Sequence, residues 1–172
     1  WTIFLDANSN DSLDAGEVSA TTDGSGLYSF TNLGPGSYTV RESQQSGWRK
    51  TSTNPGTISA VSGTNASNVD FGNFQLSSIS GMKYNDVNGN GTKDNGESGL
   101  SGWTIFLDAN NNGTLDNGET STTTDGSGGY TFSGLFTGTY KVREVQQNGW
   151  TRTSANPSDI VVNTSGQTFS NV

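Results

Sequence analysis

Three stretches of this chain place oxygen-bearing side chains at one fixed spacing. Asp86, Asn88, Asn90, Thr92, Asp94 and Glu97 stand at positions 1, 3, 5, 7, 9 and 12 of one stretch, and Asp108, Asn110, Asn112, Thr114, Asp116 and Glu119 repeat the pattern. Asp6, Asn8, Asn10, Ser12, Asp14 and Glu17 form a third. The spacing is that of the twelve-residue EF-hand calcium loop. There, side-chain oxygens at 1, 3 and 5, a carbonyl at 7, a group at 9 and a bidentate Glu at 12 wrap a hard cation that takes six to eight oxygens. Each loop supplies three carboxylates, a suitable charge for a divalent ion. Position 6 needs a left-handed turn, which Gly91 and Gly113 allow. In the third loop Asp11 stands there. Asp tolerates that backbone better than most residues, so two strong Ca2+ sites and a weaker third are expected. Clusters of Asn, Asp and Gly also make plain turns; the full match, occurring twice, favours ligation.

The composition agrees with that reading. Acidic residues number 16 against 8 basic, a net charge of -8, and nine of the acids fall at loop ligand positions, so three divalent ions would offset most of the excess. With no Cys and no His, disulfides, thiolate metal sites, Cys nucleophiles and Ser-His-Asp triads are excluded. The negative charge argues against non-specific nucleic-acid binding. No apolar run approaches the ~20 residues of a membrane span. Hydrophobic residues are only 28% of the chain, against a usual ~45–50%. Aromatics at 10% nevertheless argue for a modest folded core rather than disorder.

The elements that must position the loops come in two copies. Trp1-Thr2-Ile3-Phe4-Leu5-Asp6-Ala7-Asn8 recurs as Trp103-Thr104-Ile105-Phe106-Leu107-Asp108-Ala109-Asn110, and the correspondence runs on to Asn54-Pro55 and Asn156-Pro157 before slipping by one residue. We read 1–76 as a module without its first strand and first calcium loop, and 77–172 as a module without its final strand, a window on a longer tandem array. Helical periodicity is absent, and short alternating runs lie between turn residues. Strands are expected at Ser78–Tyr84, Trp103–Leu107, Ser121–Thr124, Tyr130–Phe132, Thr139–Val145, Trp150–Ser154 and Ile160–Val162, with a last strand of the first copy over Asn68–Phe74. Trp103, Ile105, Leu107, Tyr130, Phe132, Tyr140 and Val142 take the inward phase. The short linker Gln75-Leu76-Ser77 predicts modules that abut.

Strands rather than helices flank the loops, so no helix pair exists to open, and calcium is expected to be structural rather than signalling. Only about 17 Å of strand separates the two full loops, which puts them at opposite poles. Asp86–Glu97 then shares a pole with the turn Asp125–Gly128, and the ion of Asp108–Glu119 is expected to stiffen the joint with the preceding module. Asp125 and Asp23 are expected to close their own turns rather than to ligate. Trp48 and Trp150 are expected to pack at the core rim rather than to stack on sugars.

The run Ile79-Ser80-Gly81-Met82-Lys83-Tyr84-Asn85-Asp86-Val87-Asn88-Gly89-Asn90-Gly91, then Gly96-Glu97-Ser98-Gly99-Leu100-Ser101-Gly102-Trp103, resembles the B-type repeat of bacterial serine–aspartate-repeat (Sdr) surface adhesins. So do Thr124–Phe132 and Gly138-Thr139-Tyr140-Lys141-Val142-Arg143-Glu144. The resemblance covers nearly the whole chain. It implies an all-β fold of tandem transthyretin-like Greek-key sandwiches with calcium loops and no helices, related to the B domains of collagen adhesins. It also implies a calcium-stabilised stalk on the cell surface. The related collagen-adhesin domains can carry a Lys–Asn isopeptide bond promoted by a buried acid. Lys83 and Glu144 lie in one module and Asn73 and Glu42 in the other, so no intramodule bond is expected; the glutamates are expected to accept backbone hydrogen bonds.

The leading expectation is therefore a calcium-rigidified structural repeat of an extracellular, cell-surface or cell-wall protein, with neighbouring modules as partners. A fibre subunit joined by strand complementation or isopeptide linkage between chains is one alternative. A module binding a protein or glycan is another, although no exposed apolar patch or basic cluster marks a ligand site. No enzyme activity is expected, because the carboxylate pairs that could serve hydrolysis lie inside the calcium loops.

Overall fold

A computed structural model describes residues 1–172. The chain forms two compact units, Trp1–Gln75 and Leu76–Val172, built from strands without helices. The first unit contains β1 (Thr2–Leu5), β2 (Ser19–Thr21), β3 (Gly36–Tyr38), β4 (Val40–Glu42), β5 (Trp48–Lys50), β6 (Ile58–Ala60) and β7 (Asn73–Gln75). The second contains β8 (Ser77–Met82), β9 (Thr104–Leu107), β10 (Ser121–Thr123), β11 (Gly129–Leu135), β12 (Gly138–Tyr140), β13 (Val142–Glu144), β14 (Ile160–Val162) and β15 (Thr168–Phe169).

In the second unit β9 lies between β10 and β13, and β8 lies between β11 and β15. Ile105, Leu107 and Val142 from the first of these sheets meet Ile79, Tyr130, Phe132 and Leu135 from the other, and Ile160 of the β12–β14 pair joins them. The sheets thus face each other across an apolar interior, a β-sandwich. The alternation that puts Ile105 and Leu107 inward also predicts that Phe106 faces out. It is instead fully buried, as is Phe4; Phe106 lines a crevice with Gly113, Thr114 and Leu115 on the far side of its sheet, so β9 is covered by the core on one face and by its own following loop on the other.

Three expected strands differ in the structure. The last strand of the first copy, expected over Asn68–Phe74, is confined to Asn73–Gln75, and Asn68 instead takes a left-handed backbone, with φ of 61°. The run Thr139–Val145 is interrupted at Lys141 because the chain changes partner there: Gly138–Tyr140 pairs with β14 and Val142–Glu144 with β9. Trp150–Ser154 is not a strand at all. Its counterpart β5 is one, held by β7 through Trp48↔Gln75, Arg49↔Phe74 and Lys50↔Asn73. A short edge segment without a ladder partner has nothing to fix its extended backbone.

Candidate calcium loops and the buried glutamates

Two of the three loops begin where a buried strand ends, so their first ligand is half-committed to the core. Asp6 and Asp108 directly follow β1 and β9 and are buried, at 3% and 2% exposure. A buried carboxylate must be satisfied locally, and the loop backbone does this. In the loop of residues 108–119 the Asp108 carboxylate accepts from the amide N–H groups of Asn112 at 3.1 Å and Gly113 at 2.9 Å. Glu119 closes the loop from its far end, accepting from Ala109 N–H at 2.8 Å and Asp116 N–H at 3.1 Å. Asp116 accepts from the side-chain amides of Asn110 and Asn112, both at 2.7 Å.

The other two loops repeat this scheme. In residues 86–97, Asp86 accepts from Asn90 and Gly91, Glu97 from Val87 and Asp94, and Asp94 from the Asn88 and Asn90 amides. In residues 6–17, Asp6 accepts from Asn10 and Asp11, Glu17 from Ala7 and Asp14, and Asp14 from Asn8 and Asn10. In all three loops the position 3 and 5 amides thus converge on the position 9 carboxylate, while the position 1 and 12 carboxylates are held by backbone N–H groups of the same loop. Thr92, Thr114 and Ser12, expected to offer only carbonyls, turn their N–H groups to the position-5 Asn oxygen at 2.8, 2.8 and 2.9 Å. Position 6 is left-handed in each, with φ of 78° at Gly91, 75° at Gly113 and 60° at Asp11, so Asp11 adopts the backbone that glycine adopts in the other two.

The hydrogen bonds set the charge state of these groups. Amides of Asn8 and Asn10 hold the Asp14 carboxyl below its ordinary range. For Asp86 the chief cause of the same downward shift is the Thr153 hydroxyl, followed among the stabilising contacts by the backbone N–H groups of Gly91, Gly89 and Asn90. No three acidic side chains stand close enough together to cage an ion unaided.

Sequence reasoning missed two arginines. Arg143 Nε lies 3.8 Å from Asp108 Oδ2, and Arg41 Nε lies 4.0 Å from Asp6 Oδ2 and 2.5 Å from Asp11 Oδ1. The signal was present: each Arg stands next to an inward Val in the repeated Val-Arg-Glu, on the opposite face of its strand, and the register pairs it with Phe4 or Phe106, two residues before the first loop ligand.

The turns behave as expected. Asp125 accepts from Ser127 and Gly129, and Asp23 from Ser25 and Leu27, all within 2.9 Å. The Asp125 turn adjoins the root of the 86–97 loop, since Lys83 N–H donates to Gly128 carbonyl at 2.8 Å. Trp48 and Trp150 pack edge-on against Trp1 and Trp103, with centroids 5.4 and 5.6 Å apart.

The glutamates differ from expectation. Glu144 Oε2 lies 2.8 Å from Lys83 Nζ, and Glu42 Oε2 accepts from the Asn73 amide at 2.8 Å. Both partners are side chains, because each Glu sits on the inward phase beside a core Val, out of reach of loop amides. Glu144 Oε1, Glu42 Oε1 and Asn73 Oδ1 are buried without a partner. Lys83 also lies over the Trp103 ring, 4.3 Å from its centroid. No unit brings Lys, Glu and Asn together.

A family model described as the SdrD B-like domain matches the chain twice, over residues 2–82 and 77–168. The serine-aspartate repeat-containing protein F of Staphylococcus epidermidis is 32% identical over 165 residues, covering 88% of this chain and 10% of that protein. The serine-aspartate repeat-containing protein D of Staphylococcus aureus strain Newman is 34% identical over 153 residues, covering 81% of this chain and 11% of that protein. The chain thus spans about a tenth of the length of these relatives. Among solved structures, the Bacillus anthracis TIE protein aligns with 98% of this chain and 29% of its own, at a TM-score of 0.41 and 18% identity. GBS52, the minor pilin of Streptococcus agalactiae, aligns with 98% of this chain and 79% of its own, at a TM-score of 0.38 and 17% identity.

Proposed function

Because this chain belongs to the SdrD B-like domain family, we propose that it is a structural repeat of an extracellular, cell-wall-associated surface protein, stiffened by calcium. The observation that carries the reading is the threefold loop scheme: carboxylates at positions 1, 9 and 12 of one short loop are held by the same set of loop amides in all three copies. The donor chemistry fits a hard cation. Asp108, Asn110, Asn112, Asp116 and Glu119 would hold one ion with the Thr114 carbonyl, and the same positions serve in residues 86–97. The Asn side chains now turn N–H toward Asp116, and half a rotation of each amide exchanges that donor for an oxygen. A bound divalent ion would neutralise the loop and tie its two ends together.

The 6–17 loop is the weaker site in this reading. Its position 6 is Asp11, held at a left-handed φ of 60° that glycine adopts at less cost in the other two loops.

Thermal melting in millimolar calcium against excess EDTA tests the proposal. At a calcium level a hundredfold above Kd, each ion adds about 2.7 kcal/mol, a rise on the order of 10–20 °C for a module of this size. An identical melting temperature in both buffers would sink the calcium reading.

A further inference from the structure

The chain contains six Asn-Gly pairs, at 88–89, 90–91, 95–96, 112–113, 117–118 and 148–149. Such a pair is chemically labile, because glycine has no side chain to hinder attack of its backbone nitrogen on the preceding amide carbon. All six asparagines are exposed, so exposure does not rank them.

Hydrogen bonding does. The N–H groups of Gly89, Gly91 and Gly113 donate to the Asp86 and Asp108 carboxylates at 2.8, 2.7 and 2.9 Å. The side chains of Asn88, Asn90 and Asn112 are pinned at both ends: their amides donate to Asp94 or Asp116, and their oxygens accept from the N–H groups of Asn90, Thr92 and Thr114. Nucleophile and target are thus both held. The N–H groups of Gly96, Gly118 and Gly149 have no such acceptor, and the side chains of Asn95, Asn117 and Asn148 make no hydrogen bond. Each of these pairs fills the centre of a turn closed by one bond, Glu97 N–H to Asp94 carbonyl, Glu119 N–H to Asp116 carbonyl and Trp150 N–H to Gln147 carbonyl. A Cβ on any of the three glycines would meet nothing within 4 Å, so the turns have room to rotate the nitrogen onto the side chain.

We propose that Asn95, Asn117 and Asn148 are sites of spontaneous deamidation, and that the product at Asn95 and Asn117 unfastens the loops that hold them. The glycine nitrogen attacks Asn Cγ and gives its proton to a base in the solvent. The Cγ–Nδ2 bond breaks, ammonia leaves and a cyclic succinimide forms. Water then adds to one of the two ring carbonyls. Opening the bond to Cγ gives Asp; opening the bond to the main-chain carbonyl carbon gives isoaspartate, whose backbone runs through Cβ and Cγ. The balance is amide plus water to acid plus ammonia. Isoaspartate at 95 or 117 adds a carbon to the chain between positions 9 and 12. That span is the one Glu97 and Glu119 close, through the N–H groups of Val87 and Asp94 and of Ala109 and Asp116. The loop of residues 6–17 carries Ala15-Gly16 at the same place and is immune. Displacement of a position-12 calcium ligand rests on the calcium reading; the modification does not.

The test ages the full 172-residue chain in warm, mildly alkaline buffer with EDTA, once folded and once in urea. Peptide mass spectrometry, with fragmentation that separates isoaspartate from aspartate, locates the modified sites. In the folded chain Asn95, Asn117 and Asn148 should react, and Asn88, Asn90 and Asn112 should be slower by about tenfold or more, since a hydrogen bond to a charged group must break first. In urea the six rates should draw together. Amide exchange in the aged chain should quicken at Val87 and Ala109 and stay unchanged at Ala7. Asn117→Ala, which copies the residue of the 6–17 loop, should keep Ala109 slow on ageing. Equal rates at all six sites of the folded chain, faster reaction at the pinned asparagines, or no reaction at Asn95, Asn117 and Asn148 would overturn the proposal. Unchanged exchange at Ala109 in modified chains would overturn the unfastening step. A melting temperature indifferent to calcium would leave these results standing and fail the calcium reading alone.

Discussion

The two units carry nearly the same residues, yet each leaves open what the other closes. In the second unit β8 runs against β11, and Tyr130 and Phe132 are buried at 8% and 3% exposure. The same residues in the first unit, Tyr28 and Phe30, have no such neighbour; they are only partly buried and residues 27–30 form no strand. Conversely, β5 is a strand because β7 lies beside it, while residues 150–152 are not. Similar local sequence thus becomes a strand only where a ladder partner exists. β structure here is a property of pairs of segments, as the context dependence of β propensity implies.

The comparison can be broken most directly at Ile79, which is fully buried in β8. Ile79→Ala should cost about 2–5 kcal/mol and expose the amides of residues 130–132 to exchange, while those of Thr2–Leu5 keep their protection. Unchanged exchange at Tyr130 would refute the role given to β8.

A cleaner contrast lies in two glycines of the same turn. Gly26 and Gly128 have φ of 82° and 81°. A Cβ on Gly26 meets nothing within 4 Å, whereas one on Gly128 would stand 2.2 Å from the Lys83 carbonyl. Gly128→Ala should therefore cost roughly 2–4 kcal/mol, from backbone strain and overpacking together. Gly26→Ala should cost roughly 1 kcal/mol from strain alone. Equal losses in urea melts would show that close approach does not distinguish the units.

The tyrosine pair gives a pH signature. Burial, and secondarily the Glu144 charge, push Tyr130 up to about 12. Its folded value lies above the ~10 of an unfolded tyrosine. The stability it lends is complete below pH ~10 and fades as pH rises toward 12. Tyr28 is raised in the same direction, first by burial and then by Asp70 and Glu42. Urea midpoints between pH 9 and 12 should fall less steeply in Tyr130→Phe than in the parent; parallel curves would contradict the assignment.

The smallest effect concerns the loops. Asp86 is held low chiefly by the Thr153 hydroxyl, and Asp14 by Asn8 and Asn10. Both are lowered carboxylates, so their contribution is present above pH ~4 and is lost as pH falls through the lowered folded value. Thr153→Val should move the carboxyl titration of Asp86 upward by NMR and leave Asp14 unchanged. A shift at both would mean that the loops are not independent.

Much of the candidate site was legible in the sequence because it is local. Twelve consecutive residues fix which oxygens can meet, and the left-handed turn at position 6 follows from Gly91, Gly113 and the permissive Asp11. The all-β class, the repeat and the inward faces of β9 and β11 were likewise readable, since period-2 alternation is written in short runs. The missed pieces all depend on distant partners. Arg41 and Arg143 reach their aspartates only through the β4–β1 and β13–β9 registers. Phe106 is buried on the outward phase because the loop that follows it folds back over that face. Glu42 and Glu144 look interchangeable in sequence, each ending a Val-Arg-Glu run, but one finds Asn73 and the other Lys83. By itself the sequence determined the loops, the repeat and the strand-forming segments, because turn chemistry and alternation act within a few residues. Only the tertiary structure decided which of those segments become strands and which side chain each buried glutamate meets, because both depend on which distant segment arrives beside them.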